Sequence, residues 1–177
     1  MIILQKIVKM KLLKIILLFM ALCLVVPVGA KKYKFDIDSQ RNVVVKRSGS
    51  PGQKIVEVVA IAGSVDKAIS QALVDAVAAL TFEGASGSGE MGACPPVLAE
   101  GKSAYEANKG FFDDFFKHGG FLRFVRRVSN AYPTGEDNVK VKGDNQIRIT
   151  LIVDWQGLAS YYNSNGLKTS IGNLQNF

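Results

Sequence analysis

The sequence predicts an α+β domain: two main helices packed on one face of a mostly antiparallel sheet, in the order β-β-α-α-β-β-α. Three observations carry this. Short β-branched or alternating runs lie at both ends of the chain beyond an apolar leader, a long amphipathic helix lies between them, and an aromatic segment at helical spacing follows it.

The first thirty residues are read apart from the fold. Met1 and Met10 are alternative starts, and Met10-Lys11-Leu12-Leu13-Lys14 leads into an apolar run from Ile15 to Val26. Twelve apolar residues suit the core of a secretory signal and fall short of the ~20 that span a bilayer as a helix. Pro27 ends the run and Val28-Gly29-Ala30 offers compact residues to a signal peptidase, so cleavage after Ala30 is expected. The remaining residues 31–177 form a single domain with a C-terminal tail loosely docked on it. It is expected to be periplasmic, secreted or associated with the outer membrane, and not integral to a membrane.

From 31 to 47 the pattern is strand-like, with Phe35 and Ile37 alternating with charges before Val43-Val44-Val45. Residues 48–53 read as a turn. The run "IVEVVAIA" (55–62) is apolar on both sides, which predicts a central strand buried on both faces. Ser64 suits an N-cap, and Val65, Ile69, Ala72, Leu73, Ala76, Val77 and Leu80 recur on one helical face opposite Asp66, Lys67, Ser70, Gln71 and Asp75. A Gly/Ser/Pro-rich loop follows from Gly84 to Gly101. A second helix is predicted from Ser103, its cap, to Lys117, closed by Gly119-Gly120. Residues 121–129 read as a strand, 131–138 as a polar turn and 139–142 as an edge strand. Gly143-Asp144-Asn145 reads as another turn, and Ile147, Ile149, Leu151 and Val153 then alternate with Arg148, Thr150 and Asp154 as a strand with one wet face. Trp155, Leu158, Tyr161 and Tyr162 suit a short last helix, with a frayed tail after Asn163.

Removing Lys6, Lys9, Lys11 and Lys14 with the leader lowers the formal net charge from +7 to +3. So small a surplus does not suggest a nucleic-acid partner. Arg123, Arg126 and Arg127 form the one local basic cluster, read either as a solvated strand face or as contact with an acidic partner or lipid headgroup. Cys23 lies in the leader, with Leu22 before it arguing against lipidation. That leaves Cys94 without an intramolecular partner: a buried small hydrophobe or a thiol that pairs with another molecule.

Gly87, Gly89 and Gly92 spell G-x-G-x-x-G, but they follow a predicted helix rather than a strand and lead into Pro95-Pro96. The dinucleotide fingerprint needs the opposite setting. Gly101-Lys102-Ser103 ends like a P-loop, yet Pro96 stands where its first glycine belongs. No nucleotide, metal or other cofactor is therefore expected. His118 is the single histidine, too few for a zinc site and well placed to face the carbonyls of a helix end. Asp113 and Asp114 are adjacent and diverge on a helix, which leaves open a pair assembled from distant segments, such as Asp75 with Asp154. No catalytic set emerges.

In "FFDDFFKHGGFLRF" six phenylalanines fall within fourteen residues. Core packing takes most of them, and the excess marks a contact with a partner or a second copy. The expected contact residues are Phe111, Phe121, Arg123, Arg126 and Arg127, together with the 84–101 loop. An alternative reading makes the chain a small secreted hydrolase or ligand binder with a pocket beneath that loop.

With its apolar strand, the helix "AISQALVDAVAAL", the glycine-rich gap, the segment "FFKHGGFLRFV" and a last strand leading into "DWQGL", the stretch from Ile55 to Tyr162 resembles the N-terminal domain of flagellar assembly protein T and related envelope accessory domains. The "GACPP" spelling and the unpaired Cys94 depart from that pattern. The resemblance implies a non-enzymatic α+β domain that helps assemble or stabilise an envelope structure through protein contacts.

Overall fold

The computed structural model describes residues 33–170; the leader, its two candidate starts and Cys23 lie outside them. The architecture is α+β, a six-stranded mixed sheet with four α-helices. The strands are β1 (Asn42–Ser48), β2 (Gln53–Ala62), β3 (Ser86–Gly87), β4 (Val125–Arg127), β5 (Asn138–Val141) and β6 (Asp144–Asp154). Their order is β3-β1-β2-β6-β4, with β5 pairing β6 beside β4. All pairings are antiparallel except the short parallel contact of β3 with β1.

The helices are α1 (Val65–Phe82), α2 (Lys102–Ala107), α3 (Lys109–Lys117) and α4 (Trp155–Ser164). Ser64 caps α1, its hydroxyl accepting from the Lys67 amide. Gly84 closes it in the left-handed region at φ 78°, where a Cβ would press on the Cys94 carbonyl. The inward side chains Val45, Val56, Val58, Ile147, Leu151 and Val153 pack with Ala68, Ala72, Ala76, Val77 and Leu80 of α1 in one core. Each buried Val, Ile or Leu contributes about 1.5–3 kcal/mol. The alanines let helix and sheet approach closely.

Several expectations are corrected. Residues 33–41 form no strand, although Phe35 and Ile37 are buried. The second helix is two, broken at Asn108 (φ −132°), whose side-chain amide donates to the Ala104 carbonyl and competes with the helix ladder. Ser103 lies inside α2, and Gly101 holds the N-cap position without a side-chain bond. Gly119 at φ 81° turns the chain into a 3₁₀ helix, Gly120–Phe124, leaving only three residues of the predicted strand as β4. The tail is tied down as far as Ser170: the Ser170 amide donates to the Val97 carbonyl and the Ala99 amide to the Lys168 carbonyl.

The largest difference concerns β2. Val56, Val58 and Ala60 point under α1 and are buried; on the other side Ile55 is buried, Glu57 and Val59 are half-buried and Ile61 is 49% exposed. A strand apolar on both faces is covered by α1 on one and, beyond the buried Ile55, is open on the other.

Candidate functional site

The five expected contact residues do not share a surface. Phe121 is fully buried, edge-on to Tyr33 at 5.0 Å and stacked on Phe116 at 5.8 Å, so it cannot touch a partner. The 3₁₀ helix after Gly119 turns it inward where a strand would have alternated. Phe111 is half-buried, stacked with Phe115 at 6.3 Å and Tyr161 at 5.9 Å. Arg123 lies over the Tyr161 ring at 4.4 Å while its Nε donates to the Gly120 carbonyl. Arg127 faces the core side of β4 and donates to the Ala131 carbonyl. Arg126 points the other way, opposite Ile152, and is exposed.

The 84–101 segment is neither an open loop nor a lid. Ala85 and Cys94 bridge, the Val97 and Leu98 amides donate to the carbonyls of Leu80 and Thr81, and Ser88 donates to Val45. Val97 and Leu98 are fully buried, filling the space a pocket beneath the segment would need. Its glycine motif lies in strand, turn and irregular backbone, and after it no helix begins until Lys102. Cys94 is buried, and burial pushes its thiol above the ordinary value, which fits the packing role.

His118 stands exposed at the end of α3 with Nδ1 2.8 Å from the Asp114 carboxylate, so its ring pairs with a side chain instead of the terminal carbonyls. Asp113 turns elsewhere, accepting from Lys117 at 2.9 Å and Tyr105 at 3.1 Å; the Lys117 bond chiefly holds its carboxyl below the usual range. Asp154 caps α4 by accepting from the Gly157 amide.

Asp75 lies elsewhere, against the expectation of a solvent-facing position. It is 6% exposed and borders a groove of about 870 Å³ between residues 34–44, the last turn of β2 and α1. Asp154 caps a helix at the far end of β6, so the two do not form a pair. Burial pushes the Asp75 carboxyl up to about 6, with a hydrogen bond from Gln71 (2.8 Å) and the Arg41 charge opposing the shift. The Arg41 side chain is 1% exposed, with Nε 3.9 Å from Asp75 and Nη1 2.5 Å from Glu83. Its guanidinium also donates to the carbonyls of Asp36 and Ile37. Arg41 ties the N-terminal segment to α1 through Glu83 and the Asp36 and Ile37 carbonyls, while its buried Nε makes no hydrogen bond among the described residues, and burial favours the protonated form of the Asp75 carboxyl beside it. No local pattern marks this cluster, because Arg41 lies on a segment of the chain apart from Asp75 and Glu83.

The uncovered sheet face is the other candidate. The register aligns Ile61, Gln146 and Val139 across β2, β6 and β5; Val59 lies opposite Arg148; Val44, Glu57 and Thr150 form the next row. Val128 extends that row, its amide donating to the Thr150 carbonyl. Ile61, Val128 and Val139 are thus three of the five exposed large apolar residues among those described, all on one face. Among the described residues no group of His, Cys, Asp and Glu could hold a metal ion, and no helix is long and apolar enough to cross a membrane. Comparison with protein-family models, curated proteins and solved structures returns no match.

Proposed function

We propose that this chain is an exported, non-enzymatic interaction module that helps assemble or stabilise a bacterial cell envelope through protein contacts. The observation that carries the reading is β2: a run apolar on both sides, of which the fold covers one and, on the other, buries only Ile55. A strand of this kind is ordinarily buried on both faces, and a second cover supplied by another protein accounts for its composition. The exposed Ile61, Val128 and Val139 extend the same face beyond β2. Support for export comes from the basic and apolar leader ending at Ala30.

The test is expression of the full chain with a photoreactive residue at position 61 in one version and 111 in another. Cells are irradiated, fractionated, and the product's N-terminus sequenced. The reading expects a product beginning at Lys31 in the envelope fraction, cross-linked to an envelope protein. An uncleaved cytosolic product, or no protein captured from either position, overturns it.

A further inference from the structure

Four residues fall on one line across the second face of the sheet, the outer two exposed, Ile152 half-buried and Ile55 buried. Arg47 of β1 lies opposite Ile55 of β2, Ile55 opposite Ile152 of β6, and Ile152 opposite Arg126 of β4. We propose that this row docks an acidic segment of a partner protein, with a carboxylate at each arginine and an apolar side chain over the half-buried Ile152 between them. The inference rests on the interaction-module reading and names its surface and the partner's chemistry.

Three features argue for it. The arginines stand three strand spacings apart, ~14 Å at ~4.8 Å per strand, a span that one extended or helical segment covers. Both are exposed, and among the described residues neither forms an ion pair, whereas the neighbouring cations are engaged: Lys46 with Glu57 at 3.8 Å and Arg148 with Asp137 at 3.8 Å. Two guanidinium forks free of carboxylates, with the half-buried Ile152 between them, suit bidentate carboxylate recognition. The row holds no acid of its own.

The same features select against other occupants. A second copy related by a two-fold axis would bring this arginine row against itself. An anionic bilayer would meet Glu57 in the adjacent row, and the row's short aliphatic side chains, with no aromatic among them, offer little depth of insertion.

The experiment captures the partner in cells from position 128, sequences the cross-linked peptide, and titrates the purified partner against the full chain. Arg47→Glu and Arg126→Glu are each expected to weaken binding at least tenfold, while Lys67→Glu on the exposed side of α1 leaves it unchanged and all three keep the parent's unfolding midpoint. The captured peptide is expected to be acidic. Full affinity in both reversal variants overturns the proposal, as does a captured second copy or a peptide without acidic residues. Sedimentation of the chain with phosphatidylglycerol vesicles but not phosphatidylcholine vesicles also overturns it, in favour of a lipid surface. If positions 61 or 111 capture an envelope protein whose binding ignores both reversals, the row fails and the module reading stands.

Discussion

Asp75 holds the one carboxyl in the described fold raised to about 6, from an ordinary 3.8, because burial penalises its charge more than Gln71 and Arg41 favour it. The sign of the linkage follows. Between about pH 4 and pH 6 the folded chain binds a proton that the unfolded chain has released, so stability from this group falls as pH rises through that window and stays low above it. Some two pKa units correspond to about 3 kcal/mol. In Asp75→Asn the amide oxygen still accepts from Gln71 and no charge is buried. The variant should match the parent near pH 4 and exceed it by about 2–3 kcal/mol at pH 8, measured as the difference in urea unfolding free energy across pH. Parallel pH profiles for the two proteins, or a less stable variant at pH 8, would count against this account of the groove. Arg41 keeps its Glu83 partner in either case.

At the scale of elements, the strap from Gly84 to Gly101 is held by bonds to α1 and to the tail, with Leu98 as its anchor, fully buried and bridged to Thr169. Leu98→Ala leaves a cavity costing about 2–5 kcal/mol, and the loss should concentrate in local opening of the strap. Alkylation of Cys94 by iodoacetamide, followed by peptide mass, is expected to be slow in the parent and at least tenfold faster in the variant. Equal rates would show that the strap does not depend on Leu98. The same strap shows why some elements were legible in the sequence and others were not. Helix α1 and the turn before β2 are written in local period and capping, and their boundaries follow within a residue or two; the alternation of β6 is legible too, but the strand begins at Asp144, three residues ahead of Ile147, where the sequence reads as a turn. The strap has no period because its order comes from Leu80, Thr81 and Ser170, residues distant in sequence or on another element. The break at Asn108 was hidden because Tyr105 and Phe112 keep helical spacing across it. Phe121 misled because its apolar neighbours read as a strand, whereas Gly119 had already set a tighter turn. Of the expected contact residues only Arg126 joins the face argued above, and the Arg41–Asp75 cluster had no local signature.

For the whole molecule, the aromatic residues make one body of the helices. Phe116 is fully buried, stacked on Phe35 at 4.2 Å, edge-on to Phe115 at 5.1 Å and within 6.0 Å of both Phe82 and Phe121. It thereby joins the N-terminal segment, α1, α3 and the 3₁₀ helix at a single ring. Tyr162 of α4 reaches the same cluster through Phe112 and Phe115, and its hydroxyl lies 3.0 Å from that of Thr81 inside the core. Trp155 reports from elsewhere, at the junction of β6 and α4 with Lys54 over its ring. If these contacts couple helices and sheet into one cooperative unit, as is usual below 150 residues, damage at Phe116 must register at Trp155. Phe116→Ala is expected to cost about 3–5 kcal/mol, and the urea midpoints from Trp155 fluorescence and from far-ultraviolet circular dichroism should fall together. A Trp155 transition that holds its midpoint while the circular dichroism transition shifts would mean that the sheet stands without its helical layer. A self-standing sheet would weaken the case for a missing cover, because a sheet stable when bare on both faces has no need of a partner on the second.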